Sequence, residues 1–341
     1  MLACAVKLEY KGFVQNNPEV YAGSRTIFSK GNKLGIVQKV NSCRMKGVVL
    51  VLPPFAYYQP ETLAEAVNLL AELPEPKKVL AGGTDILPAM RKGELTAEHL
   101  VSLQRLTELS QIELWDGNVR IGALVTFREL ATSPLIQKAC NLLAEAAASV
   151  GGPQVRNQGT IGGNIVNASP AGDLLPPLFA LEAQVRVCRR GGERILPLSE
   201  FLLGMGKTLI LPEEILTGVI FPALPERAAG SFVKLGRRNS LAISRISMAA
   251  VITRTPDGDI EDARLVLGAS APRPVRAPAA EALLRGKYPG PALLEQVVAS
   301  IAETVAAILG DRPSAPYKRV AVKGVARQAL LKVVPEFGQW N

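Results

Sequence analysis

The sequence predicts a mixed α+β fold: strand and helix signals interleave over residues 45–225, and a hairpin followed by helices occupies residues 226–335. Three observations carry that expectation. Short apolar runs alternate with capped, amphipathic stretches through the first part, the pattern of α/β subdomains. After Pro225 the texture changes, and Pro256-Asp257-Gly258 joins two apolar runs with a strong turn signal. Three stretches rich in alanine, leucine and valine then follow, which reads as a separate α+β domain with an antiparallel sheet. At 341 residues, 48% of them hydrophobic, the chain can bury the cores of two or three domains.

The elements read in order as follows. Residues 1–44 mix glycine, asparagine and lysine without sustained periodicity, so they are expected to be a disordered arm or to precede the true start at Met45, the second being favoured. The segment has no long apolar stretch ending in a small-residue cleavage site. Thr62 and Glu65 stand at capping-box spacing before a helix whose Leu63, Val67 and Leu70 share one face. Lys78-Val79-Leu80-Ala81 reads as a buried strand, Val101-Ser102-Leu103 as a short one, and 112–115 with 119–122 as a hairpin around Asp116-Gly117. Thr126 and Glu129 form a second capping box, a helix follows from Pro134 to about Val150, and a helix near 174–181 precedes a strand at 183–188. Beyond Pro225, strands at 247–253 and 260–267 precede helices near 278–285, 291–309 and 315–333.

Composition excludes several classes of function. The four cysteines (4, 43, 140 and 188) are scattered, giving neither a disulfide framework nor a cluster-binding motif. The single histidine, His99, leaves little from which to build a zinc site or a Ser-His-Asp triad. Of the net charge of +9, more than half falls in residues 1–44, and no nucleic-acid signature accompanies it; nucleic acid is not an expected partner. No apolar run reaches the roughly 18 residues of a membrane span, and a cytoplasmic location is expected.

Two glycine-rich segments carry the functional signal. Ala81-Gly82-Gly83-Thr84-Asp85-Ile86-Leu87-Pro88 follows an apolar run, and Thr160-Ile161-Gly162-Gly163-Asn164 lies about eighty residues on, with Asp173 behind it. Without side chains in the way, the backbone N–H groups of such loops can converge on an anion. Two facing loops can hold a pyrophosphate, which points to a dinucleotide cofactor. Asp173 can accept a hydroxyl hydrogen bond or cap the helix that follows it. Gly82-Gly83 lacks the third glycine of the G-x-G-x-x-G pattern, and Phe201 stands where a P-loop ending at Gly206-Lys207-Thr208 needs its first glycine.

Residues 81–88, 152–175 and 232–238, with Leu52-Pro53-Pro54-Phe55-Ala56-Tyr57 and 62–66 at the start, resemble the FAD-binding (medium) subunit of molybdenum hydroxylases of the xanthine dehydrogenase and aerobic carbon monoxide dehydrogenase type. The resemblance covers roughly residues 47–335. It implies an FAD-binding fold of the vanillyl-alcohol-oxidase type, two α/β subdomains followed by an α+β domain. It further implies that the backbone of Leu80, Ala81, Gly82, Gly83, Thr84, Asp85, Ile86 and Leu87, and of Thr160, Ile161, Gly162, Gly163 and Asn164, holds the FAD pyrophosphate. Asp173 would bind a ribityl or ribose hydroxyl, and Val150 would border the cofactor. Ile215 or Leu216 would support the isoalloxazine, and Lys234 would lie near its polar edge. Phe232 stands where relatives often carry tyrosine. The implied partners are a molybdopterin-binding large subunit and a [2Fe-2S] small subunit in a heterotrimer able to dimerise. Electrons would pass through FAD to NAD, a quinone or oxygen. Two other readings stay open: a stand-alone flavin-dependent reductase or oxidase of the same fold, with Ser240 as a candidate proton donor, and a non-catalytic interaction subunit.

Overall fold

The computed structural model describes residues 25–29, 34–39, 52–237 and 242–339. Strands β1 (Arg25–Ser29), β2 (Leu34–Lys39), β3 (Ala56–Tyr58), β4 (Lys77–Leu80) and β5 (His99–Ser102) form the first sheet, in the order β1-β2-β3-β5-β4. β3, β5 and β4 are mutually parallel, joined through α1 (Leu63–Glu72) and α2 (Ile86–Lys92), the crossover arrangement that parallel strands require. β1 and β2 pair antiparallel and reach β3 at Gln38↔Tyr57 and Lys39↔Ala56. Over these two segments the chain is held by ladder hydrogen bonding. The rest of residues 1–44, and Met45 itself, lie outside the described residues.

The second sheet combines β6 (Ile112–Trp115), β7 (Asn118–Gly122), β8 (Gln184–Arg189) and β9 (Gly192–Pro197) with a later strand, β12 (Ile215–Pro222). Its order is β6-β7-β12-β8-β9, antiparallel throughout. Two-residue turns make the hairpins: Asp116 and Gly117 both have positive φ (48° and 71°), as a type I′ turn demands. β12 is the central strand and nearly all buried, an apolar run that the sequence reading did not assign as a strand. Between the hairpins come α3 (Phe127–Thr132), α4 (Pro134–Ser149), α5 (Pro153–Arg156), α6 (Ile161–Asn167) and α7 (Leu175–Ala180). The Thr126–Glu129 capping box is complete. At the other, Thr62 accepts the Glu65 N–H, while the Glu65 carboxylate accepts the N–H of Glu61. α8 (Leu198–Phe201) leads to the small β10 (Leu202–Gly204) and β11 (Lys207–Thr208) hairpin, which occupies the stretch compared with a P-loop.

The C-terminal sheet runs β13 (Ala228–Leu235), β14 (Ile246–Arg254), β15 (Ile260–Gly268) and β16 (Val275–Arg276), antiparallel. Helices α9 (Pro278–Leu284), α10 (Pro291–Leu309) and α11 (Ala315–Val333) follow. Strand alternation divides β14 between two cores. Met248, Ala250 and Ile252 pack with Val297, Ile301 and Ala326 of the helices, whereas Ala249 and Val251 join the core of the second sheet. Among the described residues one helix, α10, is long and apolar enough by length and composition to cross a membrane, although Glu295, Gln296 and Glu303 interrupt its apolar run. Its apolarity has a local cause: Leu294, Val297, Val298, Ile301, Val305 and Leu309 recur at helical spacing and are buried in the C-terminal core.

Candidate functional site

The two glycine-rich segments meet at a cleft of about 740 Å³ between the first two sheets. The first segment leaves β4 and turns into α2. Among the described residues, no acceptor takes the backbone N–H groups of Gly82, Gly83, Thr84, Asp85 or Ile86. Gly83 has φ 73°, so the turn forms a concave run of unpaired donors. Gly82 is required for another reason: a Cβ there would stand 1.8 Å from the carbonyl oxygen of Gln158. The two segments therefore pack main chain against main chain. Asn167 of α6 donates from Nδ2 to Asp85 Oδ1 at 3.2 Å and ties them again.

The second segment differs from the loop that the sequence suggests. Thr160 is the N-cap of α6, its hydroxyl accepting the Gly163 N–H at 3.1 Å, so Ile161, Gly162, Gly163 and Asn164 form the first turn of a helix. Their N–H groups are already used: Ile161 donates to Val125 O, Gly162 to Ala123 O, Gly163 to the Thr160 hydroxyl and Asn164 to Thr160 O. Neither Gly162 nor Gly163 has positive φ. Gly162 is needed because a Cβ would come within 2.7 Å of the Ala123 Cβ and carbonyl oxygen. What the segment offers the cleft is instead the side chain of Asn164, whose buried Oδ1 has no hydrogen-bond partner among the described residues.

Asp173 lines the cleft and is almost wholly buried. It does not cap α7, whose N-cap is Leu174. Its Oδ2 accepts from Lys234 Nζ at 2.6 Å and its Oδ1 from Ser244 Oγ at 2.5 Å. Burial pushes this carboxyl above its ordinary pKa, partly countered by the Lys234 charge and by the bonds from Lys234 and Ser244. Lys234 also donates to the Ser149 carbonyl at 2.6 Å and does not line the cleft. Its ammonium is spent on Asp173 and on the end of α4, so its place is behind the carboxylate and not at the edge of the cleft.

Of the other expected residues, Ala81, Val150 and Leu216 line the cleft, with Ile215 beside them. Leu80 and Ile161 are buried in the cores behind it and Leu87 lies outside it. Phe232 is buried in the core shared by the second and third sheets. Ser240 lies outside the described residues. His99 bonds to the Tyr58 hydroxyl at 3.1 Å and is not a lining residue. Among the described residues no group of His, Cys, Asp and Glu is placed to hold a metal ion. The sequence reading missed one wall, residues 210–214, and Arg156, which donates to the carbonyls of Val150 and Gly151 and fixes that rim. Nothing local marks these residues, since their role depends on segments distant in the chain.

A run of free donors, an orphaned amide oxygen and a buried carboxylate along one elongated cleft fit the pyrophosphate and hydroxyl groups of a dinucleotide. The fold and the cleft define a flavin-binding oxidoreductase component. A protein-family model described as the FAD binding domain in molybdopterin dehydrogenase matches residues 53–224, and one described as the CO dehydrogenase flavoprotein C-terminal domain matches residues 231–333. The chain is 34% identical over 285 residues to a putative xanthine dehydrogenase FAD-binding subunit of Escherichia coli K12, covering 83% of this chain and 97% of that one. It is 32% identical over 285 residues to the carbon monoxide dehydrogenase medium chain of Hydrogenophaga pseudoflava, covering 82% and 97%. A solved carbon monoxide dehydrogenase from the same organism superposes with a TM-score of 0.77, over 84% of this chain and all of that one, at 32% identity. Quinoline 2-oxidoreductase from Pseudomonas putida 86 gives 0.76 at 25% identity, covering 83% of this chain and 98% of that one. The chain belongs to the FAD-binding medium subunits of the xanthine dehydrogenase and carbon monoxide dehydrogenase family, and its cofactor is FAD.

Proposed function

We propose that the chain binds FAD non-covalently in this cleft and forms the flavin stage of a molybdenum hydroxylase, between the [2Fe-2S] clusters of a small partner subunit and a final acceptor: NAD, a quinone or oxygen. When bound, FAD supplies the redox chemistry, and the protein supplies binding, orientation and electrostatics. The N–H groups of Gly82, Gly83, Thr84, Asp85 and Ile86 hold the pyrophosphate oxygens. This run of unpaired donors is the observation that carries the reading. Asn164 Oδ1 and Asp173 accept hydrogen bonds from cofactor hydroxyls, Val150 and Leu216 give apolar walls, and Lys234 holds Asp173 in place. Residues 45–225 form the FAD-binding unit and 226–335 a second unit that braces it.

The assembly we infer is a heterotrimer with a molybdopterin-binding large subunit and a [2Fe-2S] small subunit, able to dimerise, in the cytoplasm. The names of the relatives, FAD-binding subunits and medium chains, support it. Among the described residues no histidine or cysteine lines the cleft to form a link to the flavin. Acid precipitation of the purified protein should therefore release all the flavin, identifiable as FAD by chromatography. Colour retained in the pellet contradicts non-covalent binding, and a colourless preparation contradicts the site. Iron and molybdenum co-purifying in a fixed ratio to flavin would support the assembly.

A further inference from the structure

One wall of the cleft is irregular chain, residues 209–214, from which Ile210, Leu211, Pro212 and Glu214 line the cavity. The Glu214 side chain is 1% exposed, and its two oxygens accept from Nε and Nη2 of Arg194 at 2.9 and 2.8 Å. Oε2 also accepts the Leu211 N–H at 2.9 Å, and Arg194 Nη2 donates to the Leu209 carbonyl at 2.7 Å. One guanidinium and one carboxylate thus hold positions 209, 211 and 214, and anchor them to the edge strand β9. Resting on the reading that the cleft holds FAD, we propose that Arg194 and Glu214 are positioning residues for the cofactor, fixing this wall in its bound shape before FAD arrives. They act through Ile210, Leu211 and Pro212. A wall ordered in advance spares binding the entropy of ordering it.

A second ion pair in the same molecule makes a matched control. Arg276 forks onto Glu281, whose side chain is 4% exposed, at 3.0 Å through both oxygens. Glu281 likewise accepts a backbone N–H, that of Leu265 at 2.9 Å, and neither residue lines the cleft. The test compares FAD dissociation constants and cofactor-free melting temperatures of the full chain as wild type, Arg194→Met, Arg194→Lys, Glu214→Gln and Arg276→Met. Both methionine variants should lower the melting temperature. Only Arg194→Met should also weaken FAD binding, by about tenfold or more. Arg194→Lys, which keeps one charged bond and loses the fork, should recover part of the affinity, and Glu214→Gln should fall between. Equal FAD affinity in Arg194→Met and Arg276→Met overturns the proposal. Should Arg194→Met fail to fold, wild-type affinity in both Arg194→Lys and Glu214→Gln overturns it. A wild-type chain that binds no FAD overturns the functional reading instead.

Discussion

Asp173 is a carboxylate withdrawn from water and held by one ammonium and one hydroxyl. Its side chain is 8% exposed and that of Lys234 16%, so removing Lys234 leaves a buried charge nearly uncompensated. Lys234→Met should destabilise the protein by about 3 kcal/mol at neutral pH. The sign of its pH dependence follows from the direction of the shift. Burial already raises this carboxyl, and loss of Lys234 raises it further. Above the raised pKa the orphaned charge is present and costly; below it the group is protonated and neutral. The destabilisation should therefore shrink as pH is lowered through that value, and adding Asp173→Asn should recover much of it at pH 8. Denaturant titrations stepped from pH 8 down to the acid limit of folding decide the matter: a loss that stays constant over the whole range would show that Lys234 acts by packing alone. Sequence position alone singled out Asp173, but not where Lys234 would stand. Two of the lysine's acceptors, Ser149 and Asp173, come from segments more than sixty residues away, which no local pattern reports.

Helices were legible wherever apolar residues recur at helical spacing. The spans 291–309 and 315–333 appear as read from the sequence, as does the hairpin turn at Asp116-Gly117. Legibility failed where an element is fixed by long-range partners. β12 is a mostly apolar run, broken at Thr217, whose strand character comes from β7 and β8 on its two sides. The Gly162-Gly163 turn of α6 has poor intrinsic helix propensity, and the carbonyls of Ala123 and Val125 place its first N–H groups. Strands β1 and β2 pair only at the far edge of the first sheet, on the side of β3 away from β4 and its glycine loop. A chain beginning at Met45 should consequently keep stoichiometric FAD, measured by absorbance, while exposing the edge of β3. Loss of flavin from that shortened chain would mean that residues 1–44 support the site as well as the sheet.

At the scale of the whole molecule, the third sheet sits between two cores, and Lys234 of β13 and Ser244, just ahead of β14, hold Asp173 from behind the cleft. The C-terminal part of the chain thus supports Asp173 from behind and adds Ile243 to the lining of the cleft. With substrate oxidation assigned to a partner subunit, the isolated chain should show at most slow, FAD-dependent NADH–dye reduction, and no oxidation of purines, aldehydes or carbon monoxide. Oxidation of any of those by the purified, metal-free chain would refute the relay. The contact between Gly82 and Gln158 sets one last property. Main chain meets main chain there, so the spacing of the two segments is set by backbone atoms and not by any side chain. Any side chain at position 82 therefore requires these two segments to move apart.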